Sequence, residues 1–219
     1  MAEATNQQPD PSDVPRLHTP AGPALYTVGH SNQSLDALIG LLRQHGIAAL
    51  VDVRSVPRSR YAPQFDREAL RAALAAAGMR YAFMGAELGG RPRDVHFYDA
   101  DGRVLYGRLA ESDSFQRGIV QIEQARERRR TALLCSEEDP RGCHRRLLIA
   151  RVLATRGVPV QHIRGDGRVE TEANLIAAAQ KQGDQLALFT AAQAPPEGGE
   201  WKSARSVLRR DPPPASSER

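Results

Sequence analysis

The segment LLCSEEDPRGCHRRLLIARVL, residues 133–153, crowds two thiols, an imidazole and several charged groups into one short stretch. Cys143 and His144 stand where a helix is expected to begin. There, the partial positive charge of unpaired amides, with Arg145 and Arg146 adjacent, favours a thiolate. Cys143 is therefore a candidate nucleophile, with His144 or His30 as general acid. The plainer fate of two free cysteines is to be small buried hydrophobes. Cys135 and Arg141 have the spacing of a cysteine-phosphatase loop, but Glu137, Glu138 and Asp139 lie between them and would repel a phosphate. Cys135, Cys143, His144 and His30 also supply two sulfur and two imidazole ligands for zinc, although their spacing is not that of a zinc knuckle. The expectation is a site without metal or other cofactor, zinc being the alternative.

Further polar groups occur as Gly29-His30-Ser31, Asp52-Val53-Arg54, Pro57-Arg58-Ser59-Arg60 and Glu87-Leu88-Gly89-Gly90-Arg91. Each has an ordinary explanation: a hydrogen-bonded histidine, an Asp52–Arg54 ion pair, a Gly-Gly turn. Their placement suggests more. Short apolar runs at 24–28, 49–53, 80–84, 131–134 and 159–163 read as strands, and amphipathic stretches at 35–44, 66–77, 115–129, 143–156 and 172–181 read as helices. Ser34 is positioned to cap the first helix and Asp66 the second. That alternation predicts a Rossmann-like three-layer α/β fold with a mostly parallel five-stranded sheet. In such sheets ligands bind beyond the carboxyl ends of the strands, which is where these polar groups fall.

A chain of 219 residues with 41% apolar content suffices for one such domain with tails. Residues 1–22 read as a disordered arm, 23–182 as the domain and 183–219 as a flexible tail. The formal charge of +4 permits nucleic-acid or phosphate partners without requiring them. No run approaches the roughly 20 apolar residues that span a bilayer, and no secretion signal is evident, so a cytoplasmic location and reduced cysteines are expected.

The blocks TVGHSNQSLDALIGLLRQHGI, LVDVRSVPRSRYAPQFDREAL, AELGGRP and LLCSEEDPRGCHRRLLIARVL resemble the bacterial and archaeal family known as domain of unknown function 488. The resemblance covers about residues 25–165 and implies a compact α/β domain. Its signature positions would be His30, Asp52, Arg54, Arg58, Glu87, Cys135, Cys143, His144 and Arg145. It implies no settled reaction.

Past the last helix, Gln185-Leu186-Ala187-Leu188-Phe189 resembles the peptide by which bacterial polymerases and repair proteins bind the replicative sliding clamp. Gln185, Leu186, Leu188 and Phe189 would fill an apolar groove. The alternative is a C-terminal anchor packed back on the domain. Together these readings point to a hydrolase or glycosylase of DNA or nucleotides, linked to repair and recruited to the clamp. Arg54, Arg58 and Arg91 would hold phosphate or a base edge, with Ser59, Cys135, Glu137 and Arg145 also against substrate. Asp52 or Glu87 would act as base or oxocarbenium stabiliser. Alternatives are a cysteine-dependent enzyme on a small metabolite and a noncatalytic clamp-associated DNA-binding module. The expected partners are a nucleic-acid or nucleotide substrate and the clamp, with no membrane.

Overall fold

The alternating runs form a six-stranded sheet with helices on both faces in the computed structural model, which describes residues 22–181 and 200–207. In chain order the main elements are β1 (Leu25–Gly29), α1 (Leu35–Gln44), β2 (Ala49–Asp52), α2 (Arg67–Ala76), β3 (Arg80–Phe83) and the one-turn α3 (Gly85–Leu88). They continue with α4 (Tyr106–Glu111), α5 (Asp113–Arg128), β4 (Thr131–Cys135), α6 (Arg151–Thr155), β5 (Val160–Ile163), β6 (Val169–Thr171) and α7 (Glu172–Lys181). The strand order is β3-β2-β4-β1-β5-β6, and β1 to β5 are parallel. The predicted Rossmann-like α/β arrangement is thus the observed one.

Each strand alternates its side chains between two cores. Tyr26, Val28, Leu50, Ala132, Leu134 and Ile163 face α1 and α2, meeting Leu38, Leu42, Leu70 and Leu74. Leu25, Val51, Val53, Leu133 and Val160 face the other way, against Leu109, Phe115, Ile119, Ile122 and Leu153. In α5 the buried positions recur every three or four residues, the spacing that lines up one helical face. Ser34 caps α1, accepting a hydrogen bond from the Ala37 amide at 3.1 Å.

Four expectations are corrected or extended. Asp66 precedes α2 but makes no side-chain cap; its carboxylate accepts from the Ser59 amide at 2.9 Å instead. A sixth strand, β6, pairs antiparallel with β5. The Asp166-Gly167 pair before Val169 is a hairpin signal that marks it. The segments α3 and α4 are one or two turns long, too short for a helical period to register. Finally, within the stretch expected to be a tail, residues 200–207 lie against the domain. Lys202 bridges Leu105, the buried Ser203 hydroxyl accepts from the Val104 amide, and the Trp201 indole donates to the Leu147 carbonyl at 3.0 Å. Trp201 also meets Tyr106 edge-on and lies under the Arg151 guanidinium. Gln185, Leu186, Leu188 and Phe189 lie outside the described residues.

Because Trp201 contributes apolar burial and a cation–π contact, Trp201→Ala is expected to lower unfolding stability by about 2 kcal/mol. Urea unfolding of the full chain measures this, and an unchanged midpoint would mean that residues 200–207 do not dock in solution.

Candidate active site

All five parallel strands point their carboxyl ends the same way, so the loops after β1, β2, β3 and β4 meet at one edge. Two clusters form there. In the first, the Asp52 carboxylate, fully buried, accepts from the Arg54 amide at 3.1 Å, Arg54 Nε at 2.8 Å, Arg54 Nη2 at 2.6 Å and the Tyr81 hydroxyl at 2.8 Å. Arg54 also donates to the Phe65 carbonyl and approaches His30 Nε2 at 3.0 Å. His30 Nδ1 lies 2.7 Å from the Ser31 carbonyl, and the ring stacks on Phe65. A carbonyl only accepts and a guanidinium only donates, so His30 is neutral, protonated on Nδ1 and bare on Nε2. Burial, and secondarily the Arg54 charge, hold its pKa below the usual histidine range. These three groups therefore satisfy one another. Asp52 has no lone pair left over for a substrate proton, which removes the basis for reading it as a general base.

The second cluster joins Cys135, at the end of β4, to Cys143 and His144 across the loop. One ligating atom from each lies within 4.8 Å of the others. His144 Nε2 sits 3.1 Å from the Val53 carbonyl and so carries a proton, leaving Nδ1 turned to the sulfurs at 3.7 Å from Cys135 and 3.9 Å from Cys143. Gly90 packs on this ring: a Cβ there would lie 2.6 Å from His144 Cγ. Directly after His144 the helical backbone widens to π geometry over Arg145–Ala150 before returning to α6, a distortion often found at functional sites.

Arg145 holds the loop from beneath. It is 0% exposed, and its guanidinium donates to the carbonyls of Glu137, at 2.7 Å, and Glu138. Gly29 makes room, since a Cβ there would fall 1.7 Å from the Glu137 carbonyl oxygen. The loop is also tied sideways. Glu138 pairs with Arg164, which bonds Glu170 of β6, and Arg146 pairs with Glu172, which also meets His162.

The thiols differ in electrostatics. A hydrogen bond from Cys143, reinforced by His144, holds the Cys135 thiol well below its usual pKa despite burial. The same contact and burial push Cys143 well above. For His144, burial alone would lower the pKa, but the Cys135 charge and contact raise it. These shifts favour the thiolate on Cys135, where the helix-start reading favours Cys143.

The remaining predicted residues divide. Arg58 is solvent-facing at 86% side-chain exposure, with Asp66 at 4.0 Å. The Ser59 amide donates to Asp66, and its hydroxyl accepts from the Tyr61 amide. Arg91 is exposed, and its amide reaches the Ser55 hydroxyl at 2.8 Å. Glu137 is exposed above the cysteines. Glu87 sits partly buried on α3, its Cβ side against Gly118 of α5. Arg145 is sealed away from any substrate. Arg141 turns from Cys135 to fork onto Asp139, which undoes the phosphatase-loop geometry. His30 stands outside the sulfur–imidazole group, so the four-ligand zinc set is not assembled. Sequence reasoning missed Tyr81, Phe65, His162 and the Val53 carbonyl. Only His162, a polar residue within an apolar strand, carries a visible signal. A cavity of about 530 Å³ lies at the opposite, amino edge, lined by Tyr26 and Arg126–Arg130, away from these groups.

Fold and site define an α/β protein with a sulfur–imidazole centre at the carboxyl edge of a mostly parallel sheet. The model of the family described as Domain of unknown function DUF488 matches residues 34–152, more than half of the chain, and the chain belongs to that family. No curated protein and no solved structure matches it. Among the described residues no helix is long and apolar enough to cross a membrane.

Arg145→Met leaves the part-buried carbonyls of Glu137 and Glu138 without their donor, and a loss of about 2 kcal/mol in unfolding free energy is expected; a loss below about 0.5 kcal/mol would show that the clamp is not needed. The pH dependence follows from His30 and His162, both held neutral chiefly by burial. Below the unfolded histidine value of about 6.5 the unfolded chain gains protons that the folded one refuses, so stability falls with falling pH. The raised pKa of His144 acts elsewhere, its contribution being lost as pH rises through the folded value. Chemical denaturation across pH is expected to show an acid limb starting near pH 6.5, shallower in His162→Gln. A flat profile down to the carboxylate range would contradict both assignments.

Proposed function

We propose that this protein is a hydrolytic enzyme of nucleic acids or nucleotides, with Cys135, Cys143 and His144 as the groups at the bond broken. One observation carries the reading: the loops after β2 and β3, which form a rim bearing exposed arginines, meet beside the sulfur–imidazole centre. Arg60, Arg91 and Arg93 are exposed and make no ion pair among the described residues, and Arg58 has only the distant Asp66. These arginines follow the carboxyl ends of β2 and β3, whose loops are joined by the Arg91–Ser55 contact beside Gly90 and His144. Such a rim suits a polyanion, because guanidinium binds phosphate in two-pronged fashion. The cleaved bond is of the N-glycosidic or phosphoester class, and damaged DNA is the substrate to try first. Glu87, partly buried on α3, would be the assisting carboxylate in this reading.

A second reading is favoured by the 3.7 Å approach of the Cys135 sulfur to His144 Nδ1, a thiol beside its base. In it, Cys135 attacks a small metabolite directly, and the arginine rim is surface charge.

The two readings separate by substrate. Incubation with lesion-bearing and undamaged oligonucleotides is expected to give lesion-dependent products, reduced about a hundredfold or more by His144→Gln. Arg91→Ala is expected to raise KM more than it lowers kcat, with a weaker salt dependence of binding. Unchanged substrates across a broad lesion panel would sink the nucleic-acid reading.

Recruitment belongs to the same proposal and rests on Gln185, Leu186, Leu188 and Phe189. A peptide of residues 182–192 is expected to bind the replicative sliding clamp, and alanine at Gln185, Leu188 and Phe189 to abolish binding by the whole protein. Absence of binding at high micromolar clamp would remove the clamp, leaving the enzymatic reading to stand alone.

A further inference from the structure

We propose that Cys135, Cys143 and His144 hold a zinc-class divalent ion, through two sulfurs and Nδ1, with the fourth coordination position open to water or substrate. The proposal rests on the centre being where the chemistry occurs, and concerns what occupies it.

Three geometric facts carry it. First, the spacing fits. With zinc–sulfur bonds of about 2.3 Å and zinc–nitrogen bonds of about 2.0 Å, tetrahedral ligands stand about 3.6 Å apart. The observed sulfur–nitrogen distances are 3.7 and 3.9 Å. Second, the imidazole is turned for ligation. The Val53 carbonyl takes the Nε2 proton, which fixes the ring orientation and points the Nδ1 lone pair at the sulfurs, as the outer partner of a metal-bound histidine does. Gly90 then packs the ring face so that it cannot swing away. Third, the donor set selects the metal: two thiolates and an imidazole suit zinc and its borderline-soft neighbours rather than magnesium or calcium.

The fourth position falls to a non-protein ligand because no further side chain arrives. Among the described residues no further His, Cys, Asp or Glu joins the group. His30, the natural fourth candidate by sequence, is committed to the Ser31 carbonyl and Arg54. Three protein ligands with one vacancy is the pattern of catalytic rather than structural zinc. Ligation requires both sulfurs as thiolates and Nδ1 unprotonated, so any proton these atoms carry leaves to solvent on binding, and binding weakens as pH falls.

The full-length chain, reduced and stripped with chelator, is titrated with Co2+ and separately with Zn2+. The expected result is one equivalent bound, with a thiolate-to-cobalt charge-transfer absorption. That absorption should be lost in Cys143→Ser and His144→Gln and retained in Arg91→Ala. Gly90→Ala, which displaces the ring, should weaken affinity about tenfold or more. Zn2+ should also slow alkylation of both wild-type thiols by at least about tenfold, reversibly with chelator. That arm decides the matter even where a variant fails to fold. Folded wild-type protein with no charge-transfer band and unprotected thiols would overturn the proposal, as would undiminished binding in the Cys143 and His144 variants. Metal binding without cleavage of any oligonucleotide would leave this site standing and remove the hydrolase reading. Cleavage by metal-free protein would do the reverse.

Discussion

Strand ends and the loops beyond them carry carbonyls that the sheet no longer pairs, and at this edge side chains pair them. Arg145 takes the carbonyls of Glu137 and Glu138, His144 that of Val53, His30 that of Ser31, and Arg54 that of Phe65. Leaving such a group unpaired costs up to about 1–3 kcal/mol where it is buried, as for the Phe65 carbonyl, and less where water reaches it. The arrangement fixes more than stability. It decides which nitrogen of each imidazole keeps its proton, and therefore which faces outward chemically.

The consequence is a division of labour between two neighbouring clusters. His30, Asp52, Arg54 and Tyr81 close on one another and on the Ser31 and Phe65 carbonyls. Cys135, Cys143 and His144 do not close on themselves. Their contacts to one another are long ones through sulfur, and Nδ1 has only the two sulfurs before it. Arg145, buried and without an ion pair among the described residues, adds a positive charge that acts on Cys143. Reactivity is thereby concentrated in the second cluster, while the first holds the ends of β1 and β2 in place.

The edge on which polar groups gather was legible from the alternation of strands and helices, because a parallel sheet forces all its carboxyl ends together. The family resemblance had marked the same residues. Which of them work as a unit was not legible. Asp52 and Arg54 are two apart in sequence, and an ion pair is the ordinary reading of that spacing; their sealing by Tyr81 and Phe65 depends on β3 and on the turn before α2, far along the chain. Arg145 reads like a substrate arginine beside a catalytic histidine. Its burial follows from Gly29 admitting the Glu137 carbonyl, a contact between residues more than a hundred positions apart that no local pattern announces. β6 escaped because three residues are too few to show a period, and the 200–207 segment because its anchor is a single tryptophan in polar surroundings.

The central claim is that backbone carbonyls set the two imidazoles of this edge in opposite tautomers, so that His144 alone offers Nδ1 to the sulfurs. Nitrogen NMR of histidine-labelled protein reads this directly. His144 is expected to keep its Nε2 proton both above and below neutral pH, while His30 keeps its Nδ1 proton and shows a bare Nε2. A His144 ring with bare Nε2, or a His30 ring protonated there instead, would contradict the account.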